Sequence, residues 1–279
     1  MYLEDWLKKI LIIVRYCYHR FVYKLARDPF DLFCIDLCRD QYTFLSVNKN
    51  KKTFYVIGDS HTDVFSKNKF EKKRDIGCAL KQWFLKANYC CAPMFITYHL
   101  GAVTAYGSFS SQSSTRCKEK INYLIENGFL PKKCNVILSF GEIDCRVHIL
   151  RQAELMGIPW QQVVCNVVQH YSRLICFLNN KGFNVFVYGP VGSQSDEVGF
   201  DPSYPRYGNE KIRNEITKNF TDCLIKFCSE KNIPVISILT NLVSNDLITN
   251  DKFYRDGVHL NDEGRELLMD ELVKLHLID

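Results

Sequence analysis

The chain has 279 residues, of which 47% are apolar and 24% are charged. Such a composition is typical of a globular protein with a large core and excludes a disordered or fibrous chain. The formal net charge of +5 is small for this length. Because no nucleic-acid-binding motif is recognisable either, no nucleic-acid partner is predicted.

Thirteen cysteines are scattered along the chain, and no Cys-x-x-Cys pair occurs among them. This spacing does not indicate a zinc ribbon or a thioredoxin-like motif. Several, such as Cys176 and Cys228, stand in apolar runs, where a thiol behaves as a small hydrophobic group. We therefore expect buried, reduced cysteines in a cytoplasmic protein, with no metal site.

The N-terminal region predicts one amphipathic helix over residues 3–27, because apolar residues from Trp6 to Leu25 recur at spacings of three and four. Two placements stay open for its apolar face: against the chain's own domain or a partner, which is favoured, or on an anionic membrane surface. Neither a secretory signal nor a membrane span is expected, since the apolar run Ile10–Val14 is too short. The polar segment Asn48–Lys52 then separates an N-terminal helical extension, residues 1–50, from the main domain, residues 51–279.

After residue 52, short apolar runs alternate with helical patterns. This order predicts parallel strands joined by helices. The runs are apolar throughout, as in strands that are covered on both faces. The fold prediction is therefore an α/β, three-layer α/β/α sandwich with about five parallel strands. The predicted strands are Thr53–Ile57, Met94–Tyr98, Val136–Phe140, Val185–Tyr188 and Pro234–Leu239, and the clearest helices are Asn166–Asn179, Arg213–Lys231 and Glu263–Leu277.

Reactive side chains follow these strands, at the sheet edge where ligands bind in such folds. They offer a hydroxyl, an imidazole, carboxylates and glycine amides, an inventory that suits acyl transfer. The segments are Gly58-Asp59-Ser60-His61, His99-Leu100-Gly101, Gly141-Glu142-Ile143-Asp144-Cys145-Arg146 and Gly189-Pro190-Val191-Gly192, with Asp256-Gly257-Val258-His259 before the last helix.

Three of these residues have the chemistry of a serine nucleophile and its base. A serine hydroxyl is a weak nucleophile and needs an adjacent base, which His259 can provide for Ser60. Asp256, three residues earlier, can bind the other ring nitrogen and fix the tautomer. The amides of Ser60 and Gly101 are candidate donors to an oxyanion.

The Gly58-Asp59-Ser60 and Asp256-x-x-His259 segments resemble the first and last signature blocks of the SGNH/GDSL hydrolases. The resemblance covers roughly residues 53 to 279. It implies that Ser60 is the nucleophile, with Asp256 and His259 as its catalytic partners. It also implies that an oxyanion donor stands at Gly101, or else at Gly107.

The third block departs from that family's Gly-x-Asn-Asp pattern, because Ile143 stands where the asparagine would donate to the oxyanion. Either another group, such as Arg146, supplies this donor, or the oxyanion is held more weakly. The stretch from Gly141 to Arg146 also resembles a subset of the family that is found with glycan-modifying genes. That resemblance implies a sugar O-acyl group as the substrate.

Several neighbouring residues keep two interpretations. Asp59, Glu142, Asp144 and Arg146 are expected at the site, where they either contact substrate or hold a loop by ion pairs. Asp59 as the phosphate acceptor of a receiver domain is disfavoured, because the acidic partners and lysine of a receiver are missing. Two further histidines and one loop have both a pocket-lining and a purely structural interpretation: His61, His99 and the segment Gly199–Gly208.

The sequence leaves three functions in competition. The leading one is an ester hydrolase that removes O-acyl, in particular acetyl, groups from a carbohydrate or small molecule, with no metal or organic cofactor required. The second is an O-acyltransferase on the same site, with a sugar hydroxyl as the acceptor. The third is a non-catalytic glycan-binding protein, for which Ile143 is the only support.

Overall fold

The computed structural model describes residues 53–65, 95–199 and 201–278. The helix predicted over residues 3–27 and the boundary near residue 50 lie outside these ranges and stay predictions. The described chain forms a five-stranded parallel sheet with the order β2-β1-β3-β4-β5. Its strands are β1 (Phe54–Gly58), β2 (Phe95–His99), β3 (Asn135–Ser139), β4 (Asn184–Tyr188) and β5 (Val235–Ile236).

Helices connect the strands and cover the sheet. Asn209 and Asn261 cap two of them, because each side-chain oxygen accepts a hydrogen bond from an amide of the first turn. The α-helices are α1 (Cys117–Glu126), α2 (Ile149–Met156), α3 (Trp160–Asn180), α4 (Glu210–Ser229), α5 (Leu239–Leu242) and α6 (Asp262–Lys274), with 3-10 helices at Ser60–Phe65 and Asp251–Phe253 and a π-helical turn at Asp144–His148.

Two apolar clusters lie on opposite faces of the sheet. Ile57, Leu138 and Val187 pack with α1 to α4 on one face, whereas Val56 and Ile137 pack with the Ser60–Phe65 helix and α6 on the other. Consecutive strand residues therefore point into different clusters, which explains why the strands are apolar throughout. The prediction of a three-layer α/β/α sandwich with five parallel strands is confirmed.

The details differ from the prediction at several element ends. The run Pro234–Leu239 was wrongly predicted as one strand: only Val235–Ile236 pairs with β4, and Leu239 already begins α5. A short apolar run is compatible with a strand or a buried helix, so periodicity could not place this change. Within the described residues, no helix combines the length and apolar character needed to cross a bilayer.

The cysteines of the described ranges are free thiols. Cys117, Cys145 and Cys228 are buried, as expected of thiols in apolar surroundings, whereas Cys165 is exposed on α3.

Candidate active site

A tight turn before α6 orients Asp256 and His259. Asp256 Oδ1 accepts hydrogen bonds from the amides of Val258, at 3.0 Å, and His259, at 2.7 Å. Gly257 between them has a φ of 80°, a conformation that glycine adopts without steric cost. The other carboxylate oxygen, Oδ2, lies 2.8 Å from His259 Nδ1. The turn thus brings one carboxylate against both the backbone and the ring of His259.

Ser60 completes this arrangement from the opposite end of the described chain. It begins the 3-10 helix that follows β1, and its Oγ lies 2.7 Å from His259 Nε2. The imidazole is therefore bridged between a carboxylate and a hydroxyl. Bonds at both ring nitrogens fix its orientation and favour the tautomer whose Nε2 accepts the serine proton.

Hydrogen bonds stabilise the ionised form of Asp256. Burial alone would raise the pKa of this carboxyl, but bonds from the ring and amide of His259 and from the amide of Val258 outweigh burial and hold the pKa below its ordinary value. Asp256 is thus ionised at neutral pH and can stabilise a cationic His259.

The register of the sheet places the two segments that contain the candidate oxyanion amides after neighbouring strands. Gly58 pairs with His99 at the ends of β1 and β2, so Ser60 and Gly101 each stand two residues beyond this pair. Gly107, the alternative donor, instead donates its amide to Thr104 Oγ1 at 3.0 Å. The amide of Gly107 is thus already bonded, and Gly101 as the oxyanion donor stays a prediction.

A buried ion-pair cluster lies behind Ser60 and His259. Arg146 Nε donates to Glu142 Oε1 at 2.5 Å, and His61 Nε2 lies 3.3 Å from Glu142 Oε2, at ion-pair distance but without hydrogen-bond alignment. Burial opposes the charge of Glu142, yet Arg146 and His61 outweigh it and lower its pKa to about 2. Burial likewise opposes the charge of His61, but Glu142 and Asp59 outweigh it and raise the pKa of His61.

Arg146, His61 and His99 each have a defined place in or near this cluster. Arg146 is committed to Glu142 and to the carbonyl of Pro205, so its guanidinium holds the loop together. His61 lies in the first turn of the 3-10 helix with its ring centroid 5.1 Å from that of His259. His99 is exposed at the end of β2.

Asp59 is almost completely buried beside the cluster. Its Oδ1 accepts the amide of His61 at 2.9 Å, whereas Oδ2 has no hydrogen-bond partner within the described residues. Burial raises the pKa of this carboxyl to about 6. Asp59 and His61 line a small, partly open pocket together with Glu142 and Tyr188. Direct substrate binding by Asp59, Glu142, Asp144 and Arg146, all buried, stays a prediction.

Asp144 is separate from the ion pairs. Its carboxyl oxygens accept the amides of Ala105, at 2.6 Å, and Tyr106, at 3.3 Å. It thereby ties the segment after β3 to the loop that contains Gly101. Burial raises the pKa of Asp144 to about 7, although the two amide bonds act in the opposite direction.

Asp144→Asn should change how stability depends on pH. A carboxyl whose pKa is raised by folding binds its proton more tightly in the native state, so stability is full near pH 4 and falls as the pH rises to about 7. The variant lacks this titration. Urea unfolding at pH 4, 5, 6 and 7 should show the wild type losing stability relative to the variant. Parallel pH dependences of the two proteins would contradict the burial penalty assigned to Asp144.

The loop of residues 201–208, which sequence patterns could not assign, contacts the site. The rings of Tyr204 and His259 are nearly perpendicular, with centroids 5.3 Å apart and an interplanar angle of 76°. Arg206 donates to the carbonyls of Ser195, at 2.8 Å, and Val198, at 3.0 Å. The aromatic and proline content of this loop made it a candidate for the site. No sequence periodicity, however, could predict that Tyr204 contacts His259, which is 55 positions later in the chain.

A second cavity, small and partly open to solvent, is lined by Ser60, His259 and Arg255 among other residues. Arg255 lies 3.4 Å from Asp256 Oδ2 and 3.9 Å from Asp63 Oδ2.

No group of three or more metal-ligating side chains occurs within residues 53–65, 95–199 and 201–278. The groups that converge here are a serine hydroxyl, an oriented base and backbone amides, which together can form and hydrolyse an acyl-serine.

Comparison with known proteins identifies the fold. No protein family model and no curated protein matches the chain. A GDSL-like lipase from Bacteroides thetaiotaomicron superposes with a TM-score of 0.51 at 13% identity, covering 88% of this chain and 97% of the lipase. A lipase/acylhydrolase from Enterococcus faecalis matches with a TM-score of 0.46 at 18% identity, over 80% and 94% of the two chains. The first superposition, together with the five-stranded parallel sheet, shows that the chain has the SGNH/GDSL hydrolase fold.

Proposed function

We propose that this protein is a serine-dependent ester hydrolase. The observation that carries the proposal is the chain of contacts from Ser60 Oγ through both nitrogens of His259 to Asp256, with links of 2.7 and 2.8 Å. These distances are within hydrogen-bond reach before any substrate binds, as an activated nucleophile requires.

The geometry supports a two-step mechanism. Ser60 Oγ attacks the ester carbonyl while His259 Nε2 takes its proton, and Asp256 stabilises the imidazolium. The amides of Ser60 and Gly101 donate to the oxyanion. His259 then protonates the leaving alkoxide, the ester C–O bond breaks, and an acyl-Ser60 remains. Water, deprotonated by His259, attacks this acyl group and restores the serine.

We further propose an O-acetylated carbohydrate as the substrate and the cytoplasm as the location. The resemblance of Gly141–Arg146 to proteins found with glycan-modifying genes supports the substrate class. The free thiols of the described residues support the location. Since Ile143 offers no hydrogen-bond donor, the oxyanion is held by backbone amides, which lowers the expected rate relative to a site with three donors.

Hydrolysis of p-nitrophenyl acetate tests this proposal. Ser60→Ala should lower turnover by about 10⁴-fold or more, because both acyl-enzyme steps need the hydroxyl. A fluorophosphonate probe should label the wild type and not the variant. Ser172→Ala, at an exposed serine of α3 whose hydroxyl donates to the carbonyl of Gln169, is the matched control. Labelling that survives Ser60→Ala would place the nucleophile elsewhere, and a wild type that neither hydrolyses nor labels would refute the proposed function.

A further inference from the structure

His259 has two aromatic neighbours with different access to solvent. His61 packs on one side with its ring centroid 5.1 Å away, and it is 7% exposed. Tyr204 stands nearly perpendicular to the imidazole with its centroid 5.3 Å away, and it is only partly buried. Of the two rings, that of Tyr204 is therefore the more exposed to solvent, while His61 lines the pocket that contains Ser60.

The proposed chemistry fixes which half of an ester lies there. When the ester bond breaks, the leaving oxygen must come within about 3 Å of His259 Nε2 to receive its proton. The alcohol half of the ester is consequently bound beside the imidazole, whereas the acyl carbon is bonded to Ser60. Tyr204 thus borders the alcohol half.

The backbone on either side of Tyr204 is anchored by hydrogen bonds. Its own amide donates to the carbonyl of Asp201 at 2.9 Å. Arg146 donates to the carbonyl of Pro205, and the amide of Tyr207 donates back to the carbonyl of Arg146 at 3.0 Å. Because the other guanidinium nitrogens of Arg146 bind Glu142, this loop is anchored to the buried cluster behind the site. An anchored loop loses little backbone freedom when its side chain binds a ligand.

We propose that the ring of Tyr204 forms the subsite for the alcohol half of the ester, and that this alcohol is a sugar whose ring packs its C–H face on the tyrosine. This inference rests on the proposed hydrolase function. A flat apolar surface next to polar groups matches a pyranose, which has an apolar face and a hydroxyl-bearing edge. The tyrosine hydroxyl has no hydrogen-bond partner within the described chain and can bond to that edge.

The same subsite binds the acceptor when the acyl group is transferred. A sugar hydroxyl in the position of the leaving alcohol loses its proton to His259 and attacks the acyl carbon. The bond from that carbon to Ser60 Oγ breaks, and the serine oxygen takes the proton back. By microscopic reversibility, Tyr204 therefore governs both which ester is cleaved and which alcohol competes with water.

The experiment compares two esters of one acid, methyl acetate and a mono-O-acetylated methyl pyranoside, in wild type, Tyr204→Ala and Tyr204→Phe. We expect Tyr204→Ala to lower the ratio of kcat/KM for the pyranoside over methyl acetate by about 10-fold. Tyr204→Phe keeps the ring and should keep the ratio. Tyr207→Ala is the matched control on the same loop, because its hydroxyl bonds Glu154 of α2 and its amide bond to Arg146 survives the substitution.

A ratio that stays constant in Tyr204→Ala would overturn the subsite, and an equal loss in Tyr204→Phe would overturn ring stacking. A second readout is the partition of the acyl-enzyme between water and added methyl pyranoside, which should shift towards water in Tyr204→Ala alone. Failure of the hydrolase proposal looks different: the wild type would then show no Ser60-dependent cleavage of either ester.

Discussion

Asp256→Asn is expected to lower kcat for ester hydrolysis by about 10⁴-fold while leaving the fold intact. The oxygen of the new amide can still accept the two backbone bonds from Val258 and His259 that shape the turn. Its nitrogen then faces His259 Nδ1, where the carboxylate Oδ2 had been. A donor at that position selects the tautomer with a proton on Nε2, which cannot accept the proton of Ser60. Steady-state kinetics with p-nitrophenyl acetate, with circular dichroism as the check on folding, measures the effect.

Asp63→Asn provides the matched control for this substitution. Asp63 is also a partly exposed carboxylate beside Arg255, and it lines the same cavity, yet it is not bonded to His259. Its variant should keep kcat within about threefold, since a surface ion pair contributes little. Comparable losses in both variants would mean that Asp256 acts through net charge at the site and not through the tautomer of His259.

Gly58→Ala is expected to destabilise the protein by more than about 4 kcal/mol or to prevent folding. The methyl group would stand 2.1 Å from the carbonyl oxygen of Ser139, on the neighbouring strand β3. This neighbour is backbone within the sheet, so it cannot move aside as a flexible side chain would. Since Gly58 is paired with β2 and β3 at once, separating the strands would also break hydrogen bonds and shift Ser60. Urea unfolding and the yield of soluble protein measure the effect.

Gly199→Ala is the control for the loss of a glycine as such. No atom of the described residues, apart from its chain neighbours, lies within 4 Å of the position that its methyl group would occupy, and we expect the free energy of unfolding to stay within about 0.5 kcal/mol of the wild type. A Gly58→Ala protein that unfolds as the control does would show that β1 and β3 are further apart than this structure has them.

The strands of the sheet could be predicted from the sequence because a strand that is buried on both faces is an uninterrupted apolar run. Each strand from β1 to β4 is an apolar run that ends in a glycine or a polar turn, and the observed strand ends lie within one residue of those predicted. Helices were harder to predict. The patterns of α3, α4 and α6 were recognised, whereas α1 and α2 were missed because they are short and lie among polar residues.

Only part of the candidate active site could be predicted from the sequence. Ser60 and His259 follow from their places at strand and helix ends, and Asp256 follows from its spacing. The contacts of His61 with Glu142, and of Tyr204 with His259, depend on side-chain directions of residues that are far apart in sequence. The commitment of Arg146 to Glu142 and Pro205 was not predictable either, because a guanidinium has many equivalent partners until the loop conformation is known.

The separation of 199 positions between Ser60 and His259 makes the reactive serine a reporter of completed folding. During synthesis, β1 and its serine leave the ribosome long before the turn that contains the base, so the hydroxyl stays inert until the last helix has docked. The rate at which a refolding chain becomes sensitive to a fluorophosphonate therefore measures the final assembly step. Comparison of this rate with the recovery of helical circular dichroism would show whether the two ends of the domain close together or in sequence.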